Sequence, residues 1–383
     1  MACLSFRTVN NSGLGWMYVI SSDKGIGPQL GVELMRHYLD YNATAPMLPQ
    51  AKEAVVNGMD EFWANSFSQH QLGQKVSAVQ DKARRRIADA LSVGVKQLRF
   101  TSGASESNTW ILSHFKRKGK LLCSAIEHPS VLEHSDLLIP VLPSGVIDCE
   151  ALTDLLKSRG QQISLVSIMA ANNETGVIQP TDEIGDICKQ FHIPFHCDAT
   201  QALGKLTSLP KADFLSYSAH KLGGPKGIGC VVLSSEIDSL IIGGPQERGS
   251  RAGTQNVPAL LGFAAAVEHF TQPDVELRMT LEKGLLELGA TIIGGEADRL
   301  PNTVCALFDA PGELLTMALD MRGIAVSTGA ACSSGASKES HVLEAMGYSG
   351  RPVRFSFGPN FDSQGCQDVL NAVSESLEAI CEW

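Results

Sequence analysis

From about residue 50 onward, short apolar runs alternate with helical patterns, and this alternation is the strongest constraint on what the chain can fold into. The runs QLRFTS, KLLCSAI, ISLVSIMAA, IPFHCDA, ADFLSYSA and IGCVVL are each bounded by Gly, Pro or Asx signals and read as strands. The segments AKEAVVNGMDEFW and QKVSAVQDKARRRIADAL read as helices, the second with apolar residues at helical spacing and charges between them. Strands that alternate with helices predict βαβ units, hence an α/β fold with a mostly parallel sheet covered on both faces. Further on, the helical PALLGFAAAVEHF and VELRMTLEKGLLELGA give way to new strand-like runs, NTVCALF, GIAVST and PVRFSFG. These predict a second, smaller α+β domain.

Composition limits the function classes. The chain has 383 residues, 44% hydrophobic and 19% charged, enough for two domains with real cores. A formal net charge of -10 opposes nonspecific binding to nucleic acid or to anionic membranes. The ten cysteines are scattered, with no CxxC pair and no Cys/His cluster at zinc-finger spacing, which predicts reduced thiols, no metal site and a cytoplasmic location. No apolar run reaches the roughly 20 residues that span a bilayer. Residues 1–22 have a single arginine and a short GWMYVI patch, a poor match to a signal or transit peptide, so residues 1–36 are read as an extension of unknown role.

In a parallel sheet, ligands bind at the carboxyl ends of the strands, so the residues that follow each run are the candidates. Those ends carry TSGASESN, EHPS, NNETG, CDATQ and SAHK. The turn at Gly103–Ser105 offers N–H groups and a hydroxyl to a phosphate, although taken alone a plain strand-to-helix turn with capping is the better account of it. Lys221, at a sheet edge before LGGPKGIG, can form a Schiff base with an aldehyde cofactor, whereas an arbitrary lysine is a surface residue. The same glycines precede a strand, which excludes a dinucleotide loop. Asp198 ends an apolar strand, where a carboxylate needs a cationic partner such as a pyridinium nitrogen or serves as a helix cap. His128 can stack on a ring, move protons, or only hydrogen bond at a strand end. Together, in this order, the groups are the parts of a pyridoxal phosphate site. Cys332, in the run STGAACSSGASKES, has no large apolar neighbour to bury it, so it is either incidental to a loop or a thiol that must reach a substrate.

The chain resembles the NifS/IscS-type cysteine desulfurases, fold-type I pyridoxal phosphate enzymes of the class V aminotransferase family, over nearly all of residues 38–360. The resemblance is carried by YLDYNATAP, NSFSQHQLG, FTSGASESN, EHPSVL, NNETGVIQP, HCDATQALGK, SAHKLGGPKGIG, GGPQERGSRAGTQN, STGAACSSG and VRFSFG, in the family's order. It implies a large cofactor domain at 51–265 and a small domain, made of 37–50 and 266–383, that carries the cysteine loop. Lys221 looks like the Schiff-base lysine, His128 the residue stacked on the ring, Asp198 the partner of the ring nitrogen, and Gln201 the neighbour of the phenolic oxygen. Ala104, Ser105, Ser218 and His220 match phosphate-binding positions. Thr254 matches a phosphate contact donated by a second subunit, which implies a homodimer. Asn173 and Arg354 match the residues that hold the substrate carboxylate, with Asn173 also near the cofactor. Cys332 matches the cysteine that takes sulfur from L-cysteine as a persulfide and passes it to a scaffold or sulfurtransferase acceptor.

Three departures stand out: Ser66 where proline is frequent, Ser105 where threonine is common, and an EAICEW ending without the longer tail that engages an iron-sulfur scaffold. The expected activity is conversion of L-cysteine to L-alanine with sulfur supplied for iron-sulfur clusters, thio-cofactors or thiolated tRNA. The competing readings are a selenocysteine lyase, an aminotransferase or lyase that does not use Cys332, and a non-catalytic adaptor that keeps the fold.

Overall fold

The structure, a computed structural model, describes residues 5–9, 17–21, 36–329 and 340–381. The chain divides into two compact units, Met1–Met35 and Arg36–Trp383. In the first, strands Ser5–Val9 and Met17–Ser21 pair antiparallel, with Ser5 opposite Ser21. The predicted extension therefore has local pairing of its own.

The second unit is built on a seven-stranded sheet in the order Leu98–Thr101, Gly229–Leu233, Phe214–Ser218, Phe195–Asp198, Ile163–Ser167, Lys120–Ser124 and Leu137–Ile139. Four of its pairings are parallel, and only Gly229–Leu233 runs against both neighbours. The other six strands thus end on one edge. Phe214–Ser218 and Gly229–Leu233 are buried at every position, which is why they read as continuous rather than alternating runs. Glycine is required at 229, because a Cβ there would stand 2.4 Å from Tyr217 O and 2.7 Å from Gly103 Cα. That close approach seats the turn after the first strand against the sheet edge.

Helix Gln71–Ala90 begins where His70 accepts a hydrogen bond from Gly73 N, and it buries Val76, Ala83 and Ile87 at helical spacing. The larger apolar core runs from Ala51 to Ala266, and helix Val257–His269 buries nearly its whole circumference in it. A separate core joins Leu39 to residues between Leu281 and Val373. It packs an antiparallel sheet, Thr291–Ile292, Thr303–Leu307 and Val353–Ser356, against helices Val275–Glu287, Gly312–Asp320 and Ser363–Cys381. His37–Tyr38 pairs parallel with Ile324–Ala325, which threads the first residues of this unit through the smaller core. No helix among the described residues is long and apolar enough to cross a membrane.

Candidate active site

A cavity of about 590 Å³ opens where the strands end. It is lined by Ala104, Ser105, His128, Asn173, Asp198, Gln201, Ser218, His220, Lys221 and Arg354, so ten of the twelve residues singled out from the sequence meet in one place. Thr254 is exposed and lies outside this lining. Cys332 falls outside the described residues, although Gly329, just before that stretch, lines the cavity.

One end of the cavity suits an anion. Helix Ala104–Lys116 starts there after Gly103, at φ 156°, and its first N–H groups have no partner within the helix. Glu106 in the first turn would oppose an anion, but it accepts from Ser102 N at 2.7 Å and is gripped by Arg251 through Nε at 2.8 Å and Nη2 at 3.1 Å. Burial pushes the Glu106 carboxyl up, yet the hydrogen bonds from Arg251 and Ser102 prevail and hold it below its usual value. The carboxylate is thereby neutralised locally. His220 meets Thr44 Oγ1 through Nδ1 at 3.1 Å, and burial together with Lys221, Lys226 and Lys205 pushes it down to about 4.

The middle of the cavity presents Asp198 from the end of its strand. Its Oδ2 accepts from Asn108 Nδ2 at 2.7 Å and its Oδ1 from Thr200 N at 3.0 Å. His128 caps helix Pro129–Leu132, with Nδ1 accepting from Ser130 N at 3.1 Å. Burial pushes His128 down, Asp198 partly offsets this, and Lys221 and His341 add to it. Lys221 Nζ donates to Asn42 O at 2.6 Å and Ala43 O at 2.8 Å. Gln201 Nε2 donates to the same Asn42 carbonyl at 3.0 Å, while its Oε1 accepts from Lys205 Nζ. Lys205, 1% exposed, also donates to Asn42 Oδ1 at 3.0 Å. Burial first, then Lys221 and Arg354, drives that amine well below its usual value.

The far wall comes from the smaller core. Arg354, 2% exposed on strand Val353–Ser356, donates to Asp40 Oδ1 at 2.5 Å and to Asn173 O at 3.0 Å, and its Nε has no hydrogen-bond partner among the described residues. The neighbouring turn is held by Asn172 Oδ1, which accepts from Glu174 N and Thr175 N. Glu174 Oε2 accepts from Ser340 Oγ at 2.6 Å, and a Cβ on Gly329 would stand 2.9 Å from the same oxygen. Both described flanks of residues 330–339 therefore meet at Glu174.

Seven of the eight described cysteines are made poor nucleophiles by burial. Burial pushes Cys123, Cys188 and Cys305 up to about 12 and Cys149 up to about 11, and it raises Cys197, Cys230 and Cys366 as well. Cys381 is exposed on the last helix.

Sequence reading missed Asn42, Asn108, Ser130, Glu174 and Lys205 as individuals, although each lies inside a motif quoted for the family or its polar strand ends. Their partners are distant in the chain, so only the fold reveals their tasks.

The residues fit pyridoxal phosphate. A helix N-terminus with Ser105 and Ser218 suits its phosphate, the Asp198 carboxylate suits a ring nitrogen, and Lys221 suits its aldehyde. Thr200 Oγ1 beside Asp198 is buried without a partner among the described residues, as a hydroxyl reserved for a ligand is. The aminotransferase class-V family matches residues 37–369. A cysteine desulfurase from Cereibacter sphaeroides is 38% identical, with 81% of this chain and 87% of that one covered. A solved NifS-like protein superimposes with a TM-score of 0.81 at 34% identity, over 90% of this chain and all of the other. A solved structure of SspA in complex with cysteine matches at 0.75 and 31%, over 84% of this chain and 99% of that one. With the cavity, its donor set and these relatives in agreement, the chain belongs to the class-V aminotransferase family, among its pyridoxal phosphate-dependent cysteine desulfurases.

Proposed function

We propose that the protein takes sulfur from L-cysteine, leaving L-alanine, and carries it as a persulfide on Cys332 to an acceptor protein. The observation that carries this reading is the convergence of Asp198, His128, Gln201, Lys221 and Arg354 on one cavity that Gly329 also lines. When bound, pyridoxal phosphate supplies the electron sink that makes the substrate's Cα–H bond acidic. Ala104, Ser105, Ser218 and His220 hold its phosphate, and Thr254 reaches it from a second copy of the chain in a homodimer. Asp198 would meet the ring nitrogen, Gln201 the phenolic oxygen and His128 the ring face.

Arg354 and Asn173 grip the substrate carboxylate, and the guanidinium fork fixes its orientation. Lys221 Nζ receives the Cα proton. The Cys332 thiolate then attacks the substrate sulfur, the Cβ–S bond breaks, and its electron pair stays on carbon, where a proton completes alanine. Cysteine and an enzyme thiol thus become alanine and an enzyme persulfide, with no outside oxidant or reductant. The acceptor is a scaffold or sulfurtransferase protein that feeds iron-sulfur cluster, thio-cofactor or tRNA synthesis, in the cytoplasm. The division into a domain at 51–265 and one made of 37–50 with 266–383 is part of this reading, and the separate apolar cores support it.

Alanine formation from L-cysteine and from L-selenocysteine, with and without Cys332→Ala, tests the reading. The expected result is a fall of roughly 10³-fold on cysteine when the thiol is removed. Full-rate alanine formation in that variant would instead indicate chemistry that does not use Cys332. Selenocysteine turnover that is faster than cysteine turnover and unaffected by the substitution would indicate a selenocysteine lyase.

A further inference from the structure

Two tasks are open to His128, stacking on a ring or moving protons, and the hydrogen bonds around its ring choose between them. Asp198 Oδ2 receives one Asn108 Nδ2 hydrogen at 2.7 Å, which fixes the Asn108 amide with its nitrogen toward the carboxylate. The second Nδ2 hydrogen goes to Ser130 Oγ at 3.0 Å. Ser130 Oγ lies 2.8 Å from His128 Nδ1, and its hydroxyl proton is available to that nitrogen whenever the nitrogen carries none. The Ser130 backbone N–H, a donor that cannot be reversed, points at the same nitrogen from 3.1 Å. A proton on Nδ1 would face that N–H.

We infer that Asn108 and Ser130 are positioning residues that hold His128 as a neutral ring with its proton on Nε2, so that it serves the cavity as a hydrogen-bond donor and stacking surface and not as a base. The inference deepens the proposed desulfurase reading and rests on it only for what His128 faces. A ring protonated at Nε2 has no lone pair there to accept a proton, and the lone pair it keeps, on Nδ1, is occupied by Ser130. Proton abstraction is left to Lys221. The charged and titratable groups around the ring are Asp198 from the end of strand Phe195–Asp198, which favours the cation, and Lys221 and His341, which oppose it. Burial opposes it most. Asn108 itself is fully buried on helix Ala104–Lys116, so one amide steadies Asp198 directly and His128 through Ser130.

Nitrogen-15 NMR of histidine-labelled holoenzyme tests this, with the His128 signals identified by their loss in His128→Gln. The expected spectrum has unprotonated Nδ1 and protonated Nε2, and a titration below the ordinary histidine range. Ser130→Ala and Asn108→Ala each raise that titration by about one pH unit, because each removes support for the neutral form. Ser130→Thr, which keeps both donors, leaves it in place. A ring protonated at Nδ1 in the unaltered protein overturns the inference whatever the variants do, and so does a midpoint that moves in neither alanine variant. Failure of cysteine turnover with the Nε2–H ring in place would contradict the desulfurase reading alone.

Discussion

Replacement of Lys221 by alanine lowers alanine formation from L-cysteine by about 10⁴-fold, the upper range for loss of a positioned base. The side chain emerges from the short helix Ala219–Leu222 at the sheet edge, where the carbonyls of Asn42 and Ala43 fix its amine. Lys221→Arg does not restore the rate, because a guanidinium stays protonated and cannot accept the Cα proton. Steady-state turnover at saturating L-cysteine reads both variants. A loss smaller than about tenfold would contradict the assignment and turn attention to Lys205, the fully buried amine of the cluster.

The second large effect lies away from the cavity. Arg84→Met destabilises the protein by about 3–5 kcal/mol, read by chemical denaturation at neutral pH. Arg84 Nη2 meets Glu247 Oε1 at 2.7 Å with both side chains buried, and the guanidinium also donates to Leu98 O and lies over the Phe100 ring. Removing it leaves Glu247 as a buried carboxylate whose remaining side-chain hydrogen bonds, among the described residues, come from Phe100 N and Gln255 Nε2. Glu247 and Arg248 both sit at positive φ, 48° and 60°, which costs energy for residues with a Cβ and persists only where surrounding contacts enforce it. That loop leads directly to Thr254, so the ion pair also shapes the segment proposed to reach a second subunit. The double variant Arg84→Met with Glu247→Gln recovers at least half of the loss, since the uncompensated charge is gone. A single-variant cost below about 1 kcal/mol would show that the pair does not hold the loop.

Two kinds of element were legible in the sequence: strands of uniform burial and helices whose apolar residues recur at helical spacing, such as Gln71–Ala90. Phe214–Ser218 and Gly229–Leu233 are covered on both faces, so their apolar runs announced strands, but nothing in GCVVL discloses that it runs antiparallel to both neighbours. Helices Cys149–Arg159 and Thr181–Gln190, of eleven and ten residues with two buried positions each, are shorter than the helices the pattern disclosed and give too few turns to show a period. In the site, Asp198 and Lys221 were readable because a charged group at the end of an apolar strand needs a reason. Lys205 had no such signal: in GKLTS it reads as a surface lysine, and its burial depends on Asn42, 163 residues earlier. Asn108 and Ser130 likewise gain their roles only when helix Ala104–Lys116 and helix Pro129–Leu132 come together beside Asp198.

The central claim is that sulfur passes from L-cysteine to one thiol, and mass spectrometry of the protein after incubation with L-cysteine and alkylation tests it most directly. The account predicts one added sulfur on the peptide that contains Cys332, absent when Lys221 is replaced by alanine. Added sulfur on another cysteine, with Cys332 unmodified while alanine accumulates, would contradict it.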